Sequence, residues 1–334
     1  MNIAILGAGA WGSALASSLA EHRPDHRVTL WGRDELQMTS IAQTHFNSAY
    51  LPSVRLSQAL SFSSSLDKVI QTHAHENDLI IIATPLAALR EMVEHVKRIG
   101  ARALVLWLCK GLSRDSAQLP HQIVFDVLGA TSACGVLSGP SFAQEVAQAK
   151  PCALTLASNS VRLNALFAQQ LHHSALRIYH THDVIGVELG GALKNVLAIA
   201  AGVCDGLSLG MNARAALLTR GVAEMLRLGQ ALGAQPATLT GLTGLGDLIL
   251  TATGSLSRNR AVGLELAKGR SVGDITIQLG HVAEGALCAH AMARLAHQHG
   301  VDMPITQTVC ALLDGMTPQL AVQQLLSREP TTES

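Results

Sequence analysis

The chain reads as an α/β protein: a doubly wound, mostly parallel sheet in its N-terminal part, followed by an all-helical C-terminal domain. Three observations lead there. From residue 1 to about 180, short apolar runs rich in β-branched residues alternate with longer helical patterns, as βαβ units do. Several of these runs are continuously apolar rather than alternating, which suits strands covered by helices on both faces. Beyond residue 181 the β signal fades and the apolar stretches take helical lengths. We therefore place a first domain at 1–180 and a second at 181–330. With 334 residues the chain has room for about two domains of roughly 150 residues each.

The elements follow in order. Asn2–Leu6 opens the sheet, a helix covers about Trp11–Ala20, and Arg27–Trp31 is the second strand. Leu79–Ala83 is a third, bounded by Asp78 and Pro85. Ala103–Leu108, Ala133–Leu137, Ala153–Leu156 and Leu176–Tyr179 continue the series. In the second half Asp183 is placed to cap a long helix ending near Val203, and Ala213–Gly233 is a helix closed by its glycine. Glu265–Lys268, Gly285–His299 and Pro318–Ser327 are further helices, and the tail after Glu329 reads as frayed. The apolar stretch Ile185–Val203 contains Glu188, Lys194 and Asn195. A central lysine costs about 2.5–3.5 kcal/mol on insertion scales, so no membrane span is expected.

Composition narrows the function classes. Hydrophobic residues make up 48% and charged residues 14%, which excludes intrinsic disorder. Lys+Arg 24 balances Asp+Glu 24, so there is no basic surplus for nucleic acid and no polybasic membrane patch. None of the six cysteines forms C-x-x-C, which points to free thiols in a reducing, cytoplasmic compartment. The fifteen histidines make no zinc spacing, and no metal site is expected. Met1 and Asn2 lead directly into the first strand, without the features of a targeting segment.

Residues 3–12 read I-A-I-L-G-A-G-A-W-G. Gly7, Gly9 and Gly12 form G-x-G-x-x-G after a strand and at the opening of a helix. In that setting the first glycine allows the tight turn, the second lets a pyrophosphate approach the backbone, and the third lets helix and strand pack closely. The helix N–H groups then face the anion. The strand at 27–31 completes the setting of a Rossmann-like dinucleotide site. At the end of that strand an acid reads the ribose hydroxyl of NAD, and an arginine reads the 2′-phosphate of NADP. The chain has Arg33 and Asp34 there, which favours NADPH. Arg33 beside Asp34 also reads as a solvated surface charge, so NAD stays open.

Ligands of doubly wound sheets bind beyond the carboxyl ends of the strands. Thr84–Pro85 ends the third strand, as a cofactor wall or as a plain turn. Lys110 follows Leu104–Leu108 and either holds an anionic substrate or snorkels at the surface. Ser141 and Gln144 spell a capping box for a helix Phe142–Ala147, whose N-terminus also favours an anion. Lys194 stands in an apolar helix between Leu193 and Val196. Gly190 and Gly191 cost about 1 kcal/mol each inside a helix, so another backbone or a cofactor should approach closely there. Burial lowers a lysine pKa by desolvation, which suits a general acid–base. The other reading pairs Lys194 with Glu188 or another acid. Asp247 either orients Lys194 or caps a helix. Ser257–Arg260 (S-R-N-R) is either a forked donor set for phosphate or a solvated loop.

Taken together these motifs resemble the bacterial NAD(P)-dependent glycerol-3-phosphate dehydrogenases. G-A-G-A-W-G, K-G-L at 110–112, S-G-P-S-F-A at 138–143, E-L-G-G-A-L-K-N at 188–195, G-L-G-D-L at 244–248, S-R-N-R at 257–260 and V-A-E-G at 282–285 recur in that order. The match runs over nearly the whole chain, and its specific part is the K-N helix followed by G-L-G-D and S-R-N-R. The resemblance implies reversible hydride transfer between NAD(P)H and C2 of dihydroxyacetone phosphate, giving sn-glycerol 3-phosphate for phospholipid synthesis. Beside the three glycines it implies that Ala10, Trp11, Arg33 and Ala143 line the cofactor, with Lys110, Arg258, Val282 and Glu284 near it. On the substrate side it implies Lys110, Gly139, Ser141, Ser257, Arg258 and Asn259. Lys194 is implied as the proton acceptor, with Lys194 and Asp247 both catalytic and both in the same substrate site, and the assembly as a homodimer. Two other readings stand beside this one. A related NADP-dependent reductase of a hydroxyacid or sugar acid would tolerate Arg258→Ala. A dinucleotide-sensing protein without chemistry would tolerate Lys194→Ala.

Overall fold

A computed structural model of the chain describes residues 1–279 and 283–327. Among the described residues there are ten strands: β1 (Asn2–Leu6), β2 (Arg27–Trp31), β3 (Phe46–Asn47), β4 (Leu51–Arg55), β5 (Ser61–Ser63), β6 (Leu79–Ile82), β7 (Leu104–Trp107), β8 (Cys134–Ser138), β9 (Cys152–Ser158) and β10 (Leu176–Thr181). Eight of them form one sheet in the order β10–β9–β8–β7–β6–β1–β2–β5, while β3 and β4 make a separate antiparallel pair. Only β8 and β9 pair antiparallel; the other neighbours in the large sheet are parallel. The connections leaving β1 go to β2 on one side, and β6 lies on the other. The crevice at the carboxyl ends of β1 and β6 is thus the topological switch point where such sheets take ligands.

The continuous apolar runs have a direct physical reading. Alternate side chains of a strand point to opposite faces. In β1, Ile3 and Ile5 join one core cluster and Ala4 and Leu6 the other; in β6, Leu79 and Ile81 separate from Ile80 and Ile82 in the same way. The first cluster is closed by α1 (Ala10–His22), α2 (Glu35–Thr44) and α7 (Val161–Leu171). The second is closed by α3 (Leu66–Thr72), α4 (Leu89–Ile99) and α5 (Pro120–Leu128). The short α6 (Ala143–Ala147) follows β8. The edge strand β5 and the β3–β4 pair are short and half exposed, so they carry no apolar run for a sequence reading to find.

Helices α8 (Val184–Gly206), α9 (Met211–Leu232), α10 (Pro236–Leu239), α11 (Asp247–Thr253), α12 (Arg258–Ala267), α13 (Val272–Leu279), α14 (Glu284–Gln298), α15 (Pro304–Leu313) and α16 (Pro318–Leu326) complete the chain. Asp183 does cap α8, its Oδ1 accepting the Gly186 N–H at 2.8 Å. Gly233 closes α9 at φ +84°. The run around Glu265–Lys268 belongs to the longer α12. By length and hydropathy α8 is apolar enough to cross a membrane, yet 89% of its apolar window is buried inside the protein, which marks it as a core helix. The tail after Glu329 lies outside the described residues.

The chain divides into two compact units, 1–110 with 118–188, and 111–117 with 189–334. Against the expected boundary at 180/181, this division falls after Glu188. Val187 packs in the sheet's second core cluster, and Glu188 accepts hydrogen bonds from Trp107 Nε1 and the His121 backbone N–H, both at 2.8 Å. The first turn of α8 therefore belongs to the sheet unit. All six cysteines are free thiols.

Candidate active site

In the first unit, each glycine of the turn has a separate geometric reason. Gly7 sits at φ +129°, and a Cβ there would lie 2.7 Å from the Ala83 carbonyl carbon. A Cβ on Gly12 would lie 2.0 Å from Gly7 O, so α1 and the end of β1 touch backbone to backbone. Gly9 is different. Among the described residues a Cβ there would meet nothing within 4 Å, and its φ of −76° suits any residue. The packing of the described residues therefore does not require the space above Gly9. Gly9 is also the N-cap of α1, with no side-chain cap and no acid in the first turn. The first N–H groups of a helix have no intrahelical partner, so Ala10, Trp11 and Gly12 offer donors at this opening. Beside it, just past β6, the Thr84 hydroxyl is buried and has no hydrogen-bond partner among the described residues. An open backbone cradle with free donors and an orphaned hydroxyl fits a dinucleotide pyrophosphate. At the end of β2 the two charges separate: Asp34 Oδ1 caps α2 by accepting the Gln37 N–H at 2.9 Å, while Arg33 is exposed. Among the described residues the acid has a partner and the arginine has none.

Also in the first unit, Lys110, Gly139 and Ser141 meet at one carbonyl. Lys110 Nζ and Ser141 Oγ both donate to Gly139 O, at 3.2 and 3.0 Å. Gly139 holds φ +138°, which a side chain would strain. The expected Ser141–Gln144 capping box does not form. Phe142 is the N-cap of α6, so Ser141 lies one residue too early, and the nearby Gly139 carbonyl takes its hydroxyl instead. Ala143 is the first residue of that short helix.

In the second unit, α8 presents Lys194. A Cβ on Gly190 would lie 2.9 Å from both Gly244 Cα and Thr243 O, so the segment 242–246 rides directly on the helix backbone. That approach delivers the start of α11. Lys194 Nζ donates to Asp247 Oδ1 at 3.2 Å and to Thr251 Oγ1 at 2.9 Å, and Thr251 Oγ1 lies 3.3 Å from Asp247 Oδ1. Lys194 is 9% exposed and Asp247 1%. The alternative partner Glu188 is turned elsewhere: its Oε2 lies 2.6 Å from His121 Nδ1, and burial pushes its carboxyl above the usual range despite those bonds. Thr251 escaped the sequence reading. The available signal was its spacing four residues after Asp247, which places both on one helix face.

The S-R-N-R run splits into separate tasks. Ser257 Oγ caps α12 by accepting the Arg260 N–H at 3.2 Å. Asn259 Nδ2 donates to Asn195 Oδ1 at 2.8 Å, and Asn259 Oδ1 accepts the Gly285 N–H at 2.9 Å. A Cβ on Gly285 would lie 2.5 Å from Asn195 O, so α8, α12 and the start of α14 are knitted together next to Lys194. Glu284, first in α14, lies with Oε2 3.5 Å from Asn195 Nδ2. Arg258 is exposed at the first position of α12. Val282 lies outside the described residues. Among the described residues no group of three His, Cys, Asp or Glu side chains is placed to hold a metal ion.

Comparison with known proteins agrees along the whole chain. Residues 2–164 match the family model for the NAD-dependent glycerol-3-phosphate dehydrogenase N-terminus, and residues 183–323 match that for its C-terminus. The chain is 55% identical over 334 residues to a Janthinobacterium sp. (strain Marseille) protein named glycerol-3-phosphate dehydrogenase, NAD(P)+, covering 100% of this chain and 99% of that one. It is 52% identical over 339 residues to the protein of the same name from Ralstonia nicotianae, with the same coverages. The crystal structure of glycerol-3-phosphate dehydrogenase from Coxiella burnetii superposes with a TM-score of 0.91 at 40% identity, covering 98% of this chain and 99% of that one. A ketopantoate reductase structure from Ralstonia eutropha, at 17% identity and a TM-score of 0.57, covers 97% of this chain and 100% of its own, and shares the fold alone.

Proposed function

The chain belongs to the NAD-dependent glycerol-3-phosphate dehydrogenase family, and from that premise we propose how its own residues carry the reaction. It is an oxidoreductase that uses NAD or NADP and interconverts dihydroxyacetone phosphate and sn-glycerol 3-phosphate. The observation that carries the residue assignment is the buried triangle of Lys194, Asp247 and Thr251. The nicotinamide, when bound, supplies the hydride to C2 or takes it back. Lys194 delivers a proton to the C2 oxygen in the reducing direction and accepts it in the oxidising one. Its positive charge, held out of bulk water, also stabilises the negative charge that develops on that oxygen. Asp247 balances the ammonium, and Thr251 fixes where it points.

Arg258 grips the substrate phosphate, away from the reacting carbon, so that phosphate binding orients C2. Ser257 supports it by capping α12, and Asn259 by tying α12 to Asn195 and Gly285. On the sheet unit, Gly7, Gly9, Ala10, Trp11 and Gly12 hold the pyrophosphate, with Ala143 lining the same cofactor. Arg33 reads the 2′-phosphate, favouring NADPH. Lys110, Gly139 and Ser141 serve the substrate side, and Glu284 and Val282 the nicotinamide side. The product feeds phospholipid synthesis in the cytoplasm, and the enzyme works as a homodimer. The test follows oxidation of NADPH and NADH with dihydroxyacetone phosphate. Turnover should be faster with NADPH, and Arg258→Ala should raise the substrate KM at least about tenfold. Tight cofactor binding with no turnover of this substrate overturns the reading.

A further inference from the structure

Arg260, the last residue of S-R-N-R, has no part in the chemistry above, and its surroundings give it another. Its Nε and Nη2 donate to Asp205 Oδ2 at 2.9 and 2.7 Å. Arg214 Nη1 donates to both Asp205 oxygens at 3.2 Å. Asp205 stands in the last turn of α8, and its side chain is 15% exposed. Around this ion pair the two helices touch backbone to backbone. A Cβ on Gly202 would lie 2.1 Å from Arg260 O, and one on Gly263 would lie 2.0 Å from Ile199 O. With no side chain between them, the two backbones lie close enough for Arg260 to reach Asp205 across the crossing. Lys194 lies eleven residues upstream of Asp205 on α8, about 16 Å along its axis at 1.5 Å per residue. Arg258 lies two residues before Arg260 on α12.

We propose that Asp205, acting through Arg260, is a positioning residue that holds α12 in register on α8. It thereby sets the span between the Lys194 ammonium and the Arg258 guanidinium, and so selects a substrate whose phosphate sits one carbon beyond its ketone. The inference rests on the reading that Lys194 serves the C2 oxygen and Arg258 the phosphate.

The experiment compares full-length wild type, Asp205→Asn and Arg260→Lys on dihydroxyacetone phosphate and on dihydroxyacetone, which has no phosphate to place. In Asp205→Asn the KM for dihydroxyacetone phosphate should rise about tenfold, with kcat and the KM for NADPH each within about threefold. The rate with dihydroxyacetone should be unchanged. Arg260→Lys keeps a charge opposite Asp205 and should show a smaller rise of the same kind; it carries the test alone if Asp205→Asn does not fold. In an Arg258→Ala background, Asp205→Asn should add less than about twofold, because both changes act on one contact. Equal losses on both substrates, an unchanged KM for dihydroxyacetone phosphate, or full additivity with Arg258→Ala would overturn the proposal. Absence of wild-type turnover would instead overturn the proposed function, and is read first.

Discussion

Replacing Thr251 by valine tests the architecture around the proposed proton donor. The two side chains have the same shape, so the change removes one oxygen and leaves the packing in place. That oxygen lies 2.9 Å from Lys194 Nζ and 3.3 Å from Asp247 Oδ1, at a residue only 4% exposed. A hydrogen bond to a charged group is worth about 1.5–3 kcal/mol, and water has little access here to replace it. If the bond serves to aim Lys194 at the C2 oxygen, its loss appears in the transition state. The range then converts to a fall in kcat of about 10- to 150-fold at 1.36 kcal/mol per tenfold. The KM for dihydroxyacetone phosphate should stay within about threefold, since Thr251 does not hold the phosphate. Steady-state assays with NADPH at saturation give both constants. A kcat within twofold of wild type would refute the idea that Thr251 orients the lysine.

Further predictions follow from single contacts. Gly9→Ala places a methyl in space that no described residue fills, so thermal stability should hold while NADPH affinity falls at least about tenfold; Gly12→Ala drives a Cβ to 2.0 Å from Gly7 O and should lower the melting temperature sharply, and similar behaviour of the two would contradict the division of roles. Arg33→Ser should raise the KM for NADPH about tenfold and leave that for NADH within twofold; equal effects would remove Arg33 from cofactor choice. His173 stacks on His22 with Nε2 3.1 Å from Ser18 Oγ, and burial, then the neighbouring His22, holds its pKa down to about 4. Below pH 6.5 the unfolded chain takes that proton first, so stability should fall as pH drops from about 6.5 toward 4; the shift corresponds to about 3 kcal/mol, reduced to about 1–2 by solvent screening. Urea midpoints across that range should show the slope in wild type and a flatter one in His173→Gln; identical slopes would exclude it.

The legible part of this protein is the part written locally. The turn at Gly7–Gly12 shows in its own strand and helix, which lie beside it in sequence, although the close approach at Gly7 comes from the distant Ala83. Lys194 and Asp247 are visible because each is a charge in an apolar run, where burial must find it a partner. What was not legible depends on rotation and approach between distant segments. Helix α8 is apolar nearly all round, so no stripe shows which way Glu188 points, and it turned to Trp107 and His121 rather than to Lys194. Thr251 looks like any surface threonine until the Gly190–Gly244 contact brings α11 onto α8. Arg258 and Arg260 look like one donor cluster, yet positions two apart on a helix do not share a face. One arginine is exposed and the other is locked to Asp205. The Ser141 capping box failed for a similar reason: a carbonyl brought close by the turn at Gly139 outcompeted the helix N-terminus.

The most direct test of the central claim is the rate of Lys194→Ala with saturating NADPH and dihydroxyacetone phosphate, measured beside its NADPH affinity. A positioned general acid–base contributes about 10²–10⁴ in rate, so kcat should fall by that factor while cofactor affinity stays within about twofold. A variant that binds NADPH normally and retains more than about a tenth of wild-type kcat would show that proton transfer does not run through Lys194.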